Sequence, residues 1–158
     1  MKTIFFNLMF QGWPEMVALI FTAFSIIGYN ASLKSILRYG LILASLIWLV
    51  RAMSVPFGLH TLVGVFGFIL IMHKIAKVSL VNSFYVTFFV QFMLASLETI
   101  VHFTVNKVFG VVFVTQDWLW ILIGWPQIII ILVFGWIIKK WLRPWILSKF
   151  KNGGILHG

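Results

Sequence analysis

Five long apolar stretches constrain the fold of this chain more than any other feature. They cover approximately residues 13–28, 33–53, 56–72, 80–105 and 118–138. A helix needs about 20 predominantly apolar residues to cross a bilayer, and each stretch has or approaches that length. The sequence therefore predicts an all-α integral membrane protein, a bundle of about five transmembrane helices.

Two short segments lie on either side of this five-span membrane domain, residues 13–138. Residues 1–12 include a short apolar run, but about ten residues cannot cross a bilayer, so we expect an interfacial segment. Residues 139–158 form a basic and aromatic tail, which should lie along the anionic inner leaflet. Its basic residues are Lys139, Lys140, Arg143, Lys149 and Lys151.

The composition excludes several other classes of protein. Apolar residues make up 62% of the chain and charged residues only 9%, whereas a soluble domain has about 25% charged residues. A soluble enzyme, a secreted disulfide scaffold and a disordered tail are thereby excluded, and the chain has no cysteine. The net charge of +9 does not indicate nucleic acid, because the basic residues are scattered between apolar runs. The expected partner is the lipid bilayer.

The distribution of Lys and Arg predicts the direction of insertion. If the N-terminus is outside, nine basic residues lie in inner segments, and only Lys2, Arg51 and Lys107 lie in outer ones. Cytoplasmic segments carry an excess of Lys and Arg, so this asymmetry favours an N-out, C-in orientation. Trp residues near both expected interfaces agree with that orientation.

The fourth apolar stretch carries the clearest polar signal. Four polar residues and one alanine recur there at spacings of 4, 4, 3 and 4, which places them on one face of a helix. They are Thr87, Gln91, Ala95, Glu98 and His102. Lipid penalises a buried carboxylate, so this face should point towards other helices or water.

Other polar residues lie at the outer ends of the first three predicted spans. They are Glu15, Arg51, His60 and Thr61. Together with Gln91, Glu98 and His102, they could converge into one cavity in the outer leaflet. Three interpretations stay open: structural pairing, in which Glu98 or Glu15 pairs with Arg51; a site for a peptide, ion or small molecule; and a carboxylate–imidazole site for a metal or proton. Of the two possible pairs, we expect Glu98 with Arg51.

Catalytic motifs are missing from the sequence. His60 has no HExxH-type spacing, and Glu98 with His102 is a weak metal signal. There is no Ser/His/Asp constellation, Walker loop or dinucleotide fingerprint. We therefore expect a protein that is not an enzyme and holds no cofactor and no metal.

Small residues in the third stretch indicate close helix packing. Gly64 and Gly67 lie in an apolar span, where glycine lets helix backbones approach each other. Such a small bundle offers few partners within the chain for its polar and glycine surfaces, so a homo-oligomer is expected.

One short motif occurs twice. Gly12-Trp13-Pro14-Glu15 and Gly124-Trp125-Pro126-Gln127 share three identities, and an aliphatic run follows each. The motifs either frame a site as a pair of kinked segments, or simply combine an interfacial Trp with a helix-breaking Pro.

The chain also resembles a bacterial sensor family. The resemblance is based on three short motifs and covers roughly residues 10–105. The motifs are Gly12-x-Pro14-Glu15, Ser32-Leu33-Lys34 and Val55-Pro56-Phe57-Gly58-Leu59-His60-Thr61. They look like the N-terminal multi-pass membrane region of GHKL-type sensor histidine kinases and short free-standing relatives of it. About 20 residues follow the last span, without a phosphoacceptor helix or ATP-binding domain, so kinase activity does not carry over.

The resemblance implies a sensing or regulatory module in the cytoplasmic membrane of a bacterium, which signals through a separate partner. The leading hypothesis is a non-enzymatic membrane sensor with an outer-leaflet polar cavity. A small transporter or channel that uses the polar stripe of the fourth span is the first alternative. A self-assembling structural membrane protein, suggested by the 18% aromatic residues, is the second.

Overall fold

A computed structural model describes residues 6–53, 58–110 and 117–144. All regular structure in these ranges is helical, which confirms the predicted all-α class. The helices are α1 (Trp13–Ile27), α2 (Leu33–Ala52), α3 (Leu59–Ile75), α4 (Leu80–Phe109) and α5 (Asp117–Ile137). A π-helical turn, Leu8–Gly12, leads into α1, and another, Ile138–Leu142, follows α5.

Four helical segments are long and apolar enough to cross a membrane. They are Leu8–Ile27, Leu33–Ala52, Leu80–Val108 and Ile121–Leu142. Helix α3, with 17 residues, is apolar but shorter than these. It would be about 26 Å long at 1.5 Å per residue, slightly less than a typical hydrocarbon core.

The terminal segments differ from their expected form. Residues 8–12, which precede the first predicted span, continue directly into α1 as one helix. At the other end, Lys139 and Lys140 lie in the π-helical turn that extends α5, so the helix does not stop at Ile138. An apolar run interrupted by Gly12 can stay helical because a single glycine costs only about 1 kcal/mol. Lys149 and Lys151 lie outside the described residues, as do residues 54–57.

Local signals fix where several helices begin and end. The hydroxyl of Ser32 accepts a hydrogen bond from the backbone N–H of Ser35 at 3.3 Å, and Ser79 caps α4 in the same way through Asn82 at 3.2 Å. Each hydroxyl satisfies an N–H that has no partner within its own helix. Gly28 ends α1 with φ of +75°, a left-handed conformation that glycine adopts without strain.

Helix α1 is the centre of the bundle, because it packs against α2, α4 and α5. The other extensive contacts between long helices join chain neighbours, α2 with α3, α3 with α4, and α4 with α5. Gly12 meets Trp48 near the end of α2, whereas Gly40, further back in α2, meets Val17. Helices α1 and α2 are therefore antiparallel.

Helices α1 and α5 instead run parallel and very close together. Gly124 of α5 faces Gln11, and eleven residues later Gly135 faces Thr22. The Thr22 hydroxyl donates to the carbonyl oxygen of Ile131 at 2.9 Å, which joins the two helices inside the core. The two Gly-Trp-Pro motifs consequently lie side by side at one level of the bundle.

Large side chains fill the half of the bundle that lies towards the end of α1. They come from all helices but α2 and are at most 1% exposed: Phe24, Phe68, Met72, Val90 and Ile131. We call this half of the bundle, which these five residues mark, the closed half. Their continuous packing leaves the opposite end of the bundle, where α1 and α3 begin and α2 ends, as the place for a site.

Candidate binding cavity

A cavity of about 340 Å³ lies between α1, α2, α3 and α4, with the turn before α1. It is found at the end of the bundle opposite the closed half. The lining residues are Gln11, Gly12, Glu15, Met16, Ala44, Ile47, Trp48, Arg51, His60, Thr61, Gly64, Gln91, Leu94, Ala95 and Glu98. A volume near the lower end of the usual range for ligand sites, about 300–1,000 Å³, suits a small molecule.

The structure brings most of the predicted polar residues to this one cavity. From α1 to α4, the predicted residues that line it are Glu15, Arg51, His60, Thr61, Gln91 and Glu98. His102 is not part of the lining. Its Nδ1–H donates to the backbone carbonyl oxygen of Glu98 at 2.8 Å, one turn back along α4.

The polar stripe of α4 passes from the core to the cavity. Thr87 at its lower end is completely buried, Gln91 is half-buried, and Ala95 and Glu98 are exposed. The spacing of 3 and 4 keeps these residues on one face, so the stripe points first into the bundle and then into the opening. The spacing alone puts these residues on one face, and the packing of the helices decides where that face points.

Small residues create the space for the cavity. Ala44, Gly64 and Ala95 line it from three different helices, and none of them has a side chain larger than a methyl group. At its edge, Gly12 allows the Trp48 indole to approach the backbone of the turn before α1. The indole of Trp13 donates to the Leu37 carbonyl oxygen at 3.0 Å and further ties α1 to α2.

Arg51 does not form the expected ion pair with Glu98. Its guanidinium lies over the Trp48 ring, with its carbon 5.3 Å from the ring centroid, three residues back on the same helix. Among the described residues, no carboxylate oxygen lies within 4 Å of a nitrogen of this guanidinium, the distance that defines an ion pair. A local cation–π contact thus takes the place of the long-range pair, since i and i+3 side chains on one helix are already neighbours.

The cavity concentrates the acidic groups of a basic chain. The chain has three Asp or Glu residues against 12 Lys or Arg residues, and Glu15 and Glu98 both line this cavity. Glu15 is half-buried, and its carboxyl lies within electrostatic range of both Glu98 and Arg51. Two carboxylates and one guanidinium therefore line the same partly apolar space.

Gly64 and Gly67 are used within the chain. A side chain at Gly64 would touch Ile47, and one at Gly67 would lie 2.7 Å from Leu43 Cδ1. Both glycines thus face α2 and allow α3 to pack closely against it. This is the close helix packing that was expected, and it joins two helices of one chain.

The basic residues after α5 lie at the closed end of the bundle. The ammonium of Lys139 lies 5.8 Å from the Phe21 ring centroid, and that of Lys140 lies 4.7 Å from the Trp136 ring centroid. Arg143 donates to Asn30 Oδ1 at 3.4 Å. These contacts hold the described cations beside aromatic and amide groups at the end of the helices.

Among the lining residues that were absent from the predicted site, Gln11 and Trp48 have polar groups in their side chains. Gln11 lies four residues before Glu15, so the same helical spacing that revealed the α4 stripe applies to it. Because Gln11 precedes the first predicted span, the sequence alone does not connect it with Glu15 on one helix. Trp48 was assigned only to the membrane interface, although it lies one turn before Arg51.

The described residues contain no group of three or more His, Asp or Glu residues placed to hold a metal ion. Comparison of the chain with known protein families, with curated proteins and with solved structures gave no match. The resemblance to the membrane regions of sensor histidine kinases therefore stays a prediction, and the cavity itself carries the functional argument.

Proposed function

We propose that this chain is a non-enzymatic, membrane-embedded sensor or regulatory module that binds a small ligand in the cavity. One observation carries the proposal: a polar cavity lined by four helices ends against the closed half of the bundle. A site that is open at one end and packed at the other suits binding rather than passage. A ligand that bridges four helices can also change how they pack, which is the usual basis of a conformational signal.

The proposal includes a membrane orientation and partners. The helices form five spans with the N-terminus outside and the C-terminus inside the cytoplasmic membrane of a bacterium, so that the cavity opens in the outer leaflet. The distribution of basic residues supports this orientation. The bound state is passed to a separate signalling protein, and a homo-oligomer would use a surface other than Gly64 and Gly67.

A small transporter is the second candidate, and the α4 stripe favours it. Below the cavity, Thr87 is fully buried, and its hydroxyl has no hydrogen-bond partner among the described residues. A buried polar group on the line between the cavity and the opposite end could serve a substrate that moves through the bundle.

Cysteine labelling from each side of the membrane separates the two candidates, since the chain has no natural cysteine. Ala95→Cys places a thiol in the cavity wall, and the reagent is a membrane-impermeant maleimide applied to right-side-out and inside-out vesicles. A sensor cavity reacts from one side only, the side on which Lys107→Cys reacts. A transporter that alternates its access reacts from both sides.

Three control variants make the result definite. Ala23→Cys replaces a completely buried alanine and should not react from either side. Lys107→Cys and Lys77→Cys mark the two sides and should react from outside and inside respectively. If Ala95→Cys reacts no faster than Ala23→Cys, the cavity does not admit an aqueous ligand and the proposed function is wrong.

A further inference from the structure

The charges of the cavity specify more than a generic small ligand. Of the three acidic residues in the chain, Glu15 and Glu98 line the cavity from α1 and α4. Neither carboxylate has Arg51 as an ion-pair partner in the described residues, and that guanidinium lies over Trp48 instead. Two carboxylates that line one cavity repel each other unless a cation pairs with them, so this pair suits an ammonium group.

Arg51 provides a matching site for an anion. Stacking on Trp48 occupies the face of the guanidinium and leaves the N–H groups on its edge available. No other described side chain accepts a hydrogen bond from these groups. Edge N–H groups held in a fixed plane suit a carboxylate or phosphate, which can accept two of them at once.

The size of the space limits the ligand. A cavity of about 340 Å³ whose walls include Ala44, Gly64 and Ala95 has room for a compact molecule. It is too small for a folded peptide, because ligand sites for drug-sized molecules reach about 1,000 Å³.

We propose, on the basis of the function proposed above, that the cavity binds a compact zwitterion. Its ammonium group lies between Glu15 and Glu98, and its oxyanion accepts hydrogen bonds from Arg51. The shared chemistry is an ammonium and a carboxylate or phosphate separated by a short linker. A free amino acid and the headgroup of a zwitterionic phospholipid both have this chemistry.

Protection of Ala95→Cys from the maleimide tests the proposal. The soluble probes are glycine, β-alanine and 4-aminobutyrate, which vary the separation of the two charges, with butylamine and butyrate as single-charge controls. We expect the best-matched zwitterion to slow labelling about tenfold, and each single-charge probe less than about twofold. Nanodiscs with phosphatidylethanolamine or phosphatidylglycerol test the lipid source, and protection only by phosphatidylethanolamine would identify the headgroup as the ligand.

Two variants assign the roles of the charged groups. Arg51→Met should remove the preference for a zwitterion over butylamine while weak protection by the amine remains. Glu98→Gln should weaken protection by both of these ammonium-bearing probes, but it should not weaken the slight protection by butyrate, which has no ammonium group. Lys107→Met removes a cation outside the cavity and should change neither value. A merely structural role of Arg51 or Glu98 would weaken protection by all probes equally.

The outcomes distinguish the two proposals. If butylamine protects as well as the zwitterions, the cavity is a simple cation site, so the zwitterion inference fails while the sensor proposal stands. If Ala95→Cys reacts from one side but no soluble or lipid probe protects it, the zwitterion inference is wrong. If Ala95→Cys does not react at all, the sensor proposal fails first.

Discussion

The two ends of the bundle are built from similar helices but from different side chains. Around the cavity, the interior positions carry Ala44, Gly64 and Ala95 together with charged groups. In the closed half, the corresponding interior positions carry aromatic and aliphatic side chains that are at most 1% exposed, Phe24 and Phe68 among them. The same backbone framework thus leaves a space at one end and fills it at the other.

This difference separates the structural role of the bundle from its proposed functional role. The closed half holds the helices in register through dense packing, which depends on shape and tolerates little loss of volume. The cavity half places charges that contribute little to packing and whose arrangement suits a ligand. Substitutions in the two halves should therefore affect different measured quantities.

The largest expected effect is the loss of a buried aromatic ring from the closed half. Phe68→Ala should lower the free energy of unfolding in detergent by about 2–3 kcal/mol. The cavity left behind loses packing contacts, whereas the transfer contribution is small because the ring has apolar surroundings in either state. Denaturant titration followed by circular dichroism measures the change.

Phe66→Ala is the matched control for this substitution, because Phe66 lies on the same helix and is 64% exposed. We expect its effect to stay within about 0.5 kcal/mol. Equal losses for the two variants would mean that the closed half is no more tightly packed than the exterior of the bundle.

An intermediate effect is expected where α3 packs against α2. Gly64→Leu places a branched side chain against Ile47 and should cost about 1–3 kcal/mol through overpacking. Thermal unfolding measures the loss, and light scattering on the same sample should show an unchanged particle mass. Ser45→Leu, at an exposed position of α2, should leave both values unchanged. A smaller particle for Gly64→Leu with an unchanged unfolding temperature would instead place this glycine at an interface between copies.

The smallest effect concerns the partner of Arg51. A double-mutant cycle of Arg51→Met with Trp48→Leu should give a coupling of about 0.5–1 kcal/mol, as is usual for an exposed cation–π contact. The parallel cycle of Arg51→Met with Glu98→Gln should give a coupling below about 0.5 kcal/mol, because the two groups are not bonded. A larger coupling energy in the second cycle would show that Arg51 and Glu98 form the ion pair that the sequence suggested.

The local features of this protein could be predicted from its sequence. Apolar runs near Leu33, Leu80 and Trp118 correctly indicated helices, because helical length and apolar composition are properties of a continuous segment. The α4 stripe was visible for the same reason, since the positions of Gln91, Ala95 and Glu98 on one face depend only on the helical period. The coarse class and the residues on each face are thus determined by the sequence.

Contacts between distant residues required the tertiary structure. The sequence placed Gly64 at an interface but did not identify Ile47 as its neighbour, and it suggested Glu98 rather than Trp48 for Arg51. It also separated Gln11 from the site that this residue lines.

The physical reason is that helices with similar apolar faces can pack in several arrangements of nearly equal hydrophobic gain. Steric fit selects among them, as when Gly135 allows α5 to lie parallel to α1 against Thr22. The sequence by itself determined the helices and the polar faces, and only their packing decided which faces meet around a cavity.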